Sequence, residues 1–181
     1  MKRFFLLLLT LFALAAGNAH AEKADSDKPT NVEADQMAYD DVKQVNTFTG
    51  NVVLTRGTLI MRANKLVVSQ DAAGYQFATL YARPGGVATF RQKRDAGPNQ
   101  WMEGEAERIE YDGKAEMVKL FSKAKMRRLE GTKPTDEVEG EFISYDSRAE
   151  FFTVNNTASG NKPGGGRIKA VIQPRSESKE K

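Results

Sequence analysis

The chain has no cysteine, a single histidine and a single tryptophan in 181 residues. Without cysteine there can be no disulfide, no lipid-modified thiol anchor, and no thiolate nucleophile or metal ligand. The histidine, His20, lies in a segment that reads as a removable leader. With it gone, imidazole-dependent triads and His/Cys zinc sites are excluded as well. Long apolar runs are also scarce. Phe4 to Ala16 spans 13 residues, short of the roughly 20 that cross a bilayer as a helix. Lys2 and Arg3 precede that run and Ala19-His20-Ala21 follows it, which predicts a signal peptide over 1–21, cut after Ala21. The mature chain is expected to work outside the cytoplasm. We expect no catalytic residue, no metal and no cofactor.

A large excess of either charge is missing too. Removing Lys2 and Arg3 lowers 27 basic residues to 25 against 24 acidic ones, a formal charge of +1. A nucleic-acid partner is therefore not expected, since binding one calls for a strongly basic face. The segments 22–29 and 175–181 are polar and without periodicity, and read as a flexible leader and a flexible charged tail. The residues between, 30–174, suit one domain.

What fills that domain is alternation. Phe48, Gly50, Val52 and Leu54 share one parity, and Thr47, Thr49, Asn51 and Thr55 the other. Val118, Leu120, Ala124 and Met126 alternate with Lys119, Lys123, Lys125 and Arg127, and Ile168, Ala170 and Ile172 with Arg167 and Lys169. One dry face and one wet face predict antiparallel strands; apolar residues at the three- and four-residue spacing of a helix are absent. Asp112-Gly113 is a hairpin dipeptide. Asp40-Asp41, Asp71 to Gly74, Pro84-Gly85-Gly86, Ala96 to Asn99 and Asp146-Ser147 break the other runs. The glycine-rich loop 161–166 lacks the GK[ST] of a phosphate loop.

A loose repeat runs through the domain. Ala34 to Asp40 (ADQMAYD), Ala106 to Asp112 (AERIEYD) and Gly140 to Asp146 (GEFISYD) share an outline, with Ala63 to Val68 (ANKLVV) as a partial copy. The unit is small, polar, variable, apolar, variable, then aromatic or Val. Its uneven spacing predicts a stacked β-roll or jellyroll instead of a strict solenoid.

The ordered set Phe48-Thr49-Gly50-Asn51-Val52-Val53-Leu54, Gly57 to Val68, Pro84 to Phe90, Val138 to Glu141 and Arg167 to Pro174 resembles the OstA-like domain family. That family includes the periplasmic bridge of the lipopolysaccharide transport system. The resemblance covers nearly all of 30–174. It implies an all-β fold, a twisted, open β-jellyroll of two facing antiparallel sheets. It also implies a periplasmic location, binding of the lipid A part of lipopolysaccharide between the sheets, and head-to-tail stacking. The stack would connect an inner-membrane component of the transport complex to the outer-membrane translocon.

Lipid A brings acyl chains and phosphates. Exposing acyl chains to water costs about 0.8 kcal/mol per methylene, so a carrier needs an apolar groove with polar groups at its mouth. The candidates for the groove are Val32, Phe48, Val52, Leu54, Leu59, Met61, Leu66, Val68, Val118, Leu120, Met126, Ile143 and Phe152. Alternation by itself predicts burial of each, and not contact with lipid. The basic clusters Arg91 to Arg94 and Lys123, Lys125, Arg127 and Arg128 read as a solvated face before they read as phosphate contacts. The edges expected to join copies or partners are Thr30, Asn31 and Val32 at one end and Ile168, Ala170, Val171 and Ile172 at the other. Two other readings remain: a structural adaptor without lipid cargo, and a carbohydrate-binding or processing module. The second would use Glu103 and Glu105 as carboxylates and Trp101 as a sugar platform.

Overall fold

The computed structural model describes Asp25 and residues 28–95, 97, 99–157 and 166–174. The signal segment, most of the leader, most of the 161–166 loop and the tail lie outside the described residues. Asp25, within the expected leader, is only 4% exposed. Among the described residues no helix is long and apolar enough to cross a membrane.

The strands are β1 (Asn31–Glu33), β2 (Gln36–Asp40), β3 (Val45–Arg56), β4 (Leu59–Gln70), β5 (Gln76–Tyr81) and β6 (Ala88–Lys93). They continue with β7 (Gln100–Ala106), β8 (Arg108–Asp112), β9 (Met117–Glu130), β10 (Lys133–Asp146), β11 (Phe151–Asn155) and β12 (Lys169–Ile172). All are antiparallel to their neighbours, and hydrogen bonding joins them into one 12-stranded ladder. The expected all-β jellyroll is what forms.

The ladder is continuous because β3, β4, β9 and β10 are long enough to run through two sheets. Sheet 1 follows β1, the end of β3, the start of β4, β6, β7, the end of β9, the start of β10, and β12. Sheet 2 follows β2, the start of β3, the end of β4, β5, β8, the start of β9, the end of β10, and β11. Between them runs a crease with the same device in both long hairpins. Gly50 and Asn51 of β3, at φ 82° and 46°, stand opposite the one residue Asn64. Ser122 and Lys123 of β9, at φ 61° and 54°, stand opposite Glu141. An extra residue in a left-handed conformation is a bulge, which bends a strand and sharpens its twist. Glycine takes that φ without strain at position 50.

The repeat marks this crease. Asp35 donates its N–H to the Gly50 carbonyl at 3.0 Å, and Glu107 donates to that of Ser122 at 2.9 Å. Ala34-Asp35 and Ala106-Glu107 are thus corners where the chain leaves sheet 1 for sheet 2. Ala63-Asn64 and Gly140-Glu141 make the same crossing inside β4 and β10. The apolar position of each copy (Met37, Leu66, Ile109, Ile143) then joins one cross-strand row of sheet 2. That row reads Met37, Phe48, Leu66, Leu80, Ile109, Leu120, Ile143, Val154. Its counterpart in sheet 1 reads Val32, Leu54, Met61, Phe90, Gly104, Met126, Val138, Ala170. Residues of both rows meet in a single core cluster.

Gly104 has a steric task in the second row, because a Cβ there would overlap the Phe90 ring. Gly104→Val is expected to destabilise the fold by about 1–3 kcal/mol through overpacking, read as a lower urea midpoint with an unchanged slope.

Candidate functional site

Every residue assigned to the groove from sequence lies in the core cluster or against it. Val52, Leu54, Met61, Leu66, Val118, Leu120, Met126 and Ile143 are buried in it, and Val32, Phe48, Leu59, Val68 and Phe152 pack on its margin. The cluster is not a uniform trough, however. Leu66, Leu80, Ile109, Leu120 and Ile143 are the largest side chains with essentially no exposure, and they close the interior along the middle of sheet 2.

The interior opens on the side away from the crease, where the turns of the two sheets face each other. A cavity of about 890 Å³ lies there, within the 300–1,000 Å³ usual for small-molecule sites. Leu59, Met61, Phe90 and Met102 of sheet 1 and Tyr111, Val118 and Tyr145 of sheet 2 supply its apolar and aromatic lining. Of the sequence-derived set only Leu59, Met61 and Val118 reach it. Phe90, Met102, Tyr111 and Tyr145 were missed. A signal for the tyrosines existed, since each is the aromatic position of a repeat copy. Val68, that position in the partial copy, lines a smaller depression of about 310 Å³ with Met37 and Tyr39.

The rim of the cavity is ionic. Arg94 follows β6 and is 9% exposed; it pairs with Glu150 of the β10–β11 turn. The pair therefore spans the mouth from sheet 1 to sheet 2. Gln92 and Lys93 line the cavity as well. Arg128, paired with Met102 across β7 and β9, lies 5.4 Å from the Phe152 ring centre; Arg91, Lys123, Lys125 and Arg127 turn outward. Glu103 takes Arg91 at 2.6 Å and Arg127 at 3.6 Å, and Glu105 takes Arg127 at 3.4 Å. Lys123 pairs with Glu107 at 2.7 Å. The carboxylates that a glycosidase would need are thus committed to arginines on the outer face. Trp101 carries the Arg91 guanidinium 4.4 Å from its ring centre.

The edges expected from sequence fall on the two ends of sheet 1. Among the described residues β1 pairs only with β3, and β12 only with β10. Sheet 2 has its own edges, β2 and β11, which sequence reasoning did not single out. Each end of the roll thus offers two edge strands with apolar side chains in water. Met37 and Tyr39 are 61% and 51% exposed at one end, Phe151 and Ile172 62% and 79% at the other.

An outer-face network holds β12 in place. Lys125 of β9 bridges Glu137 and Glu139 of β10 at 3.0 and 2.9 Å, and Glu139 reaches Lys169 of β12 at 3.8 Å. The hydrogen bond from Lys125 holds the Glu139 carboxyl below its ordinary value of 4.5, against the opposing effect of burial. The same bond raises Lys125 above 10.5. A depressed acid contributes fully above its unfolded value and loses that contribution as pH falls through the folded one; a raised lysine contributes fully below its unfolded value and loses it as pH rises through the folded one. The stability of β12 should therefore be flat across neutral pH and fall below about pH 4.5. Amide exchange in β12 measures this, and Glu139→Gln should remove the acid-limb step.

Comparison with known proteins agrees with this architecture. Residues 31–151 match the family model described as LptA/(LptD N-terminal domain) LPS transport protein. The chain is 30% identical over 169 residues to the lipopolysaccharide export system protein LptA of Haemophilus influenzae, covering 93% of this chain and 91% of that protein. It is 32% identical over 142 residues to LptA of Escherichia coli strain K12, covering 77% and 71%. Its fold is similar to the crystal structure of LptH from Pseudomonas aeruginosa, the LptA-homologous periplasmic component of the lipopolysaccharide transport device. That match has a TM-score of 0.70 at 28% identity, covering 83% of this chain and 99% of that one. The chain belongs to the family of LptA and LptD N-terminal domain lipopolysaccharide transport proteins.

Proposed function

We propose that this protein is a non-enzymatic periplasmic carrier that shields the lipid A part of lipopolysaccharide between its two sheets and stacks end to end as a bridge between inner and outer membranes. The observation that carries this reading is the cavity: an apolar floor shared by both sheets, under an ionic rim, in a chain of the lipopolysaccharide transport family. Acyl chains need such a floor, because each methylene left in water costs about 0.8 kcal/mol. The closed row in sheet 2 limits where they lie. They enter from the turn side and rest on Met61, Phe90, Met102 and Val118.

The ends supply the assembly. Unpaired strand edges invite another strand, and adding one uses main-chain hydrogen bonds for affinity. β1 and β2 of one copy meeting β12 and β11 of the next would extend both sheets at once. The rows of both sheets run from edge strand to edge strand, so stacking would join the interiors. Such a contact is heterologous and does not close. The same edges suit an inner-membrane component at one end of the stack and the outer-membrane translocon at the other. A carbohydrate-processing reading loses its carboxylates to the outer-face ion pairs, and a cargo-free adaptor leaves the cavity without a purpose.

Photo-crosslinkers at Met61 and Val118 should capture lipopolysaccharide in living cells, and those at Thr49 and Lys119, of outward parity, should not. Capture confined to the outward pair would contradict the groove. Charges at the ends test the stack separately: Met37→Glu and Ile172→Glu should each shift the protein toward monomer in sedimentation velocity while leaving its melting temperature nearly unchanged.

A further inference from the structure

Asp25 shows the cavity rim holding an anion. Its carboxylate accepts the Thr58 N–H at 2.7 Å, the Thr58 hydroxyl at 2.6 Å and the Gln92 side-chain amide at 3.0 Å. Its main-chain carbonyl accepts the Arg56 Nε–H at 2.9 Å. Thr58 is steadied in turn, since its hydroxyl oxygen accepts the Lys93 N–H at 3.2 Å. These donors belong to the β3–β4 turn and to β6, neighbours within sheet 1. The framework therefore builds the seat, and only its occupant comes from the segment ahead of β1.

A second observation points the same way. Arg94 lines the same cavity, and its Nε is buried with no hydrogen-bond partner among the described residues. Arg94 ion-pairs with Glu150, whose side chain is 37% exposed on a turn. A guanidinium carries five donors and suits phosphate by charge and by its planar fork. Among the described residues, basic and acidic side chains line the cavity in equal number with Asp25 seated; with Asp25 withdrawn, that described lining becomes net positive.

We propose that this seat is a phosphate-monoester subsite for an amphiphile lying in the cavity, and that Asp25 is its displaceable intramolecular occupant. The proposal rests on the carrier reading and names the headgroup chemistry that reading leaves open. Buried donors must be satisfied, so in the empty protein Asp25 satisfies them. A phosphate ester takes over the Thr58 and Gln92 donors and engages Arg94, which exchanges Glu150 for it. Asp25 then acts as a competitor, and ligand affinity falls by the fraction of time the seat is vacant.

The test uses the mature chain, its Asp25→Ala and Gln92→Leu variants, and three probes: bis-phosphorylated lipid A, the same lipid stripped of phosphate, and inorganic phosphate. Asp25→Ala should bind the phosphorylated lipid about tenfold tighter, as expected for a seat vacant about a tenth of the time, with no change for the stripped lipid. Gln92→Leu should weaken the phosphorylated lipid alone, with melting curves confirming that both variants fold. Equal effects on both lipids, or none, would overturn the subsite. Inorganic phosphate binding Asp25→Ala as tightly as the phosphorylated lipid does would assign the seat to free phosphate and overturn the lipid source. Failure of wild type and variants to bind either lipid would instead overturn the carrier reading, and the lipid headgroup with it.

Discussion

Four strands, β3, β4, β9 and β10, pass from one sheet to the other, and the extra residue in each long hairpin lets them do so while keeping an apolar row inside on both flanks of the bend. A strand has a side-chain period of two, so a bend that shifted its phase uncontrolled would turn one flank's apolar set to water. Gly50-Asn51 and Ser122-Lys123 prevent this by standing two residues against one. The two sheets can then face each other around one cluster. The crease is tight and filled, and the turns opposite it are left apart. The cavity is a consequence of that geometry, since sheets hinged on one side diverge on the other.

The same constraint explains why the ends remain open. A closed barrel removes strand edges, whereas two sheets hinged along a crease keep an edge at each end of each sheet. Here those edges carry exposed Met37, Tyr39, Phe151 and Ile172. Hydrogen-bonding capacity and apolar surface thus coincide where a like chain would have to meet them. The ion pairs divide between two tasks. Outer-face pairs such as Arg91–Glu103 and Lys125–Glu139 are partly wet and fasten neighbouring strands, each contributing little alone. Arg94–Glu150 instead joins the two sheets across the cavity mouth.

Much of this was legible in the sequence because strand alternation reports burial directly. The groove candidates lie in the core cluster or on its margin, and the turn dipeptides fell at or between strand ends. Alternation could not say which buried residues border empty space. Leu120 and Val118 have the same parity and lie two residues apart, yet one is sealed and the other faces the cavity. That difference depends on distance from the crease, which a period-two pattern does not encode. The repeat did encode it, since its small-polar start is the crease and its aromatic end approaches the mouth, but that sense emerged only from the pairing of the strands. β2 and β11 escaped notice as edges because a two-sheet strand has a different neighbour on each half. Asp25 escaped because a polar, aperiodic stretch carries no sign of a docking site built by residues 31 and more positions away.

The central claim is that the space between the diverging sheets receives acyl chains. Diffraction from crystals grown with lipid A tests it most directly. The account predicts acyl density between Met61, Phe90 and Met102 on one side and Tyr111, Val118 and Tyr145 on the other. Lipid density on the outer faces, with that cavity empty, would contradict it.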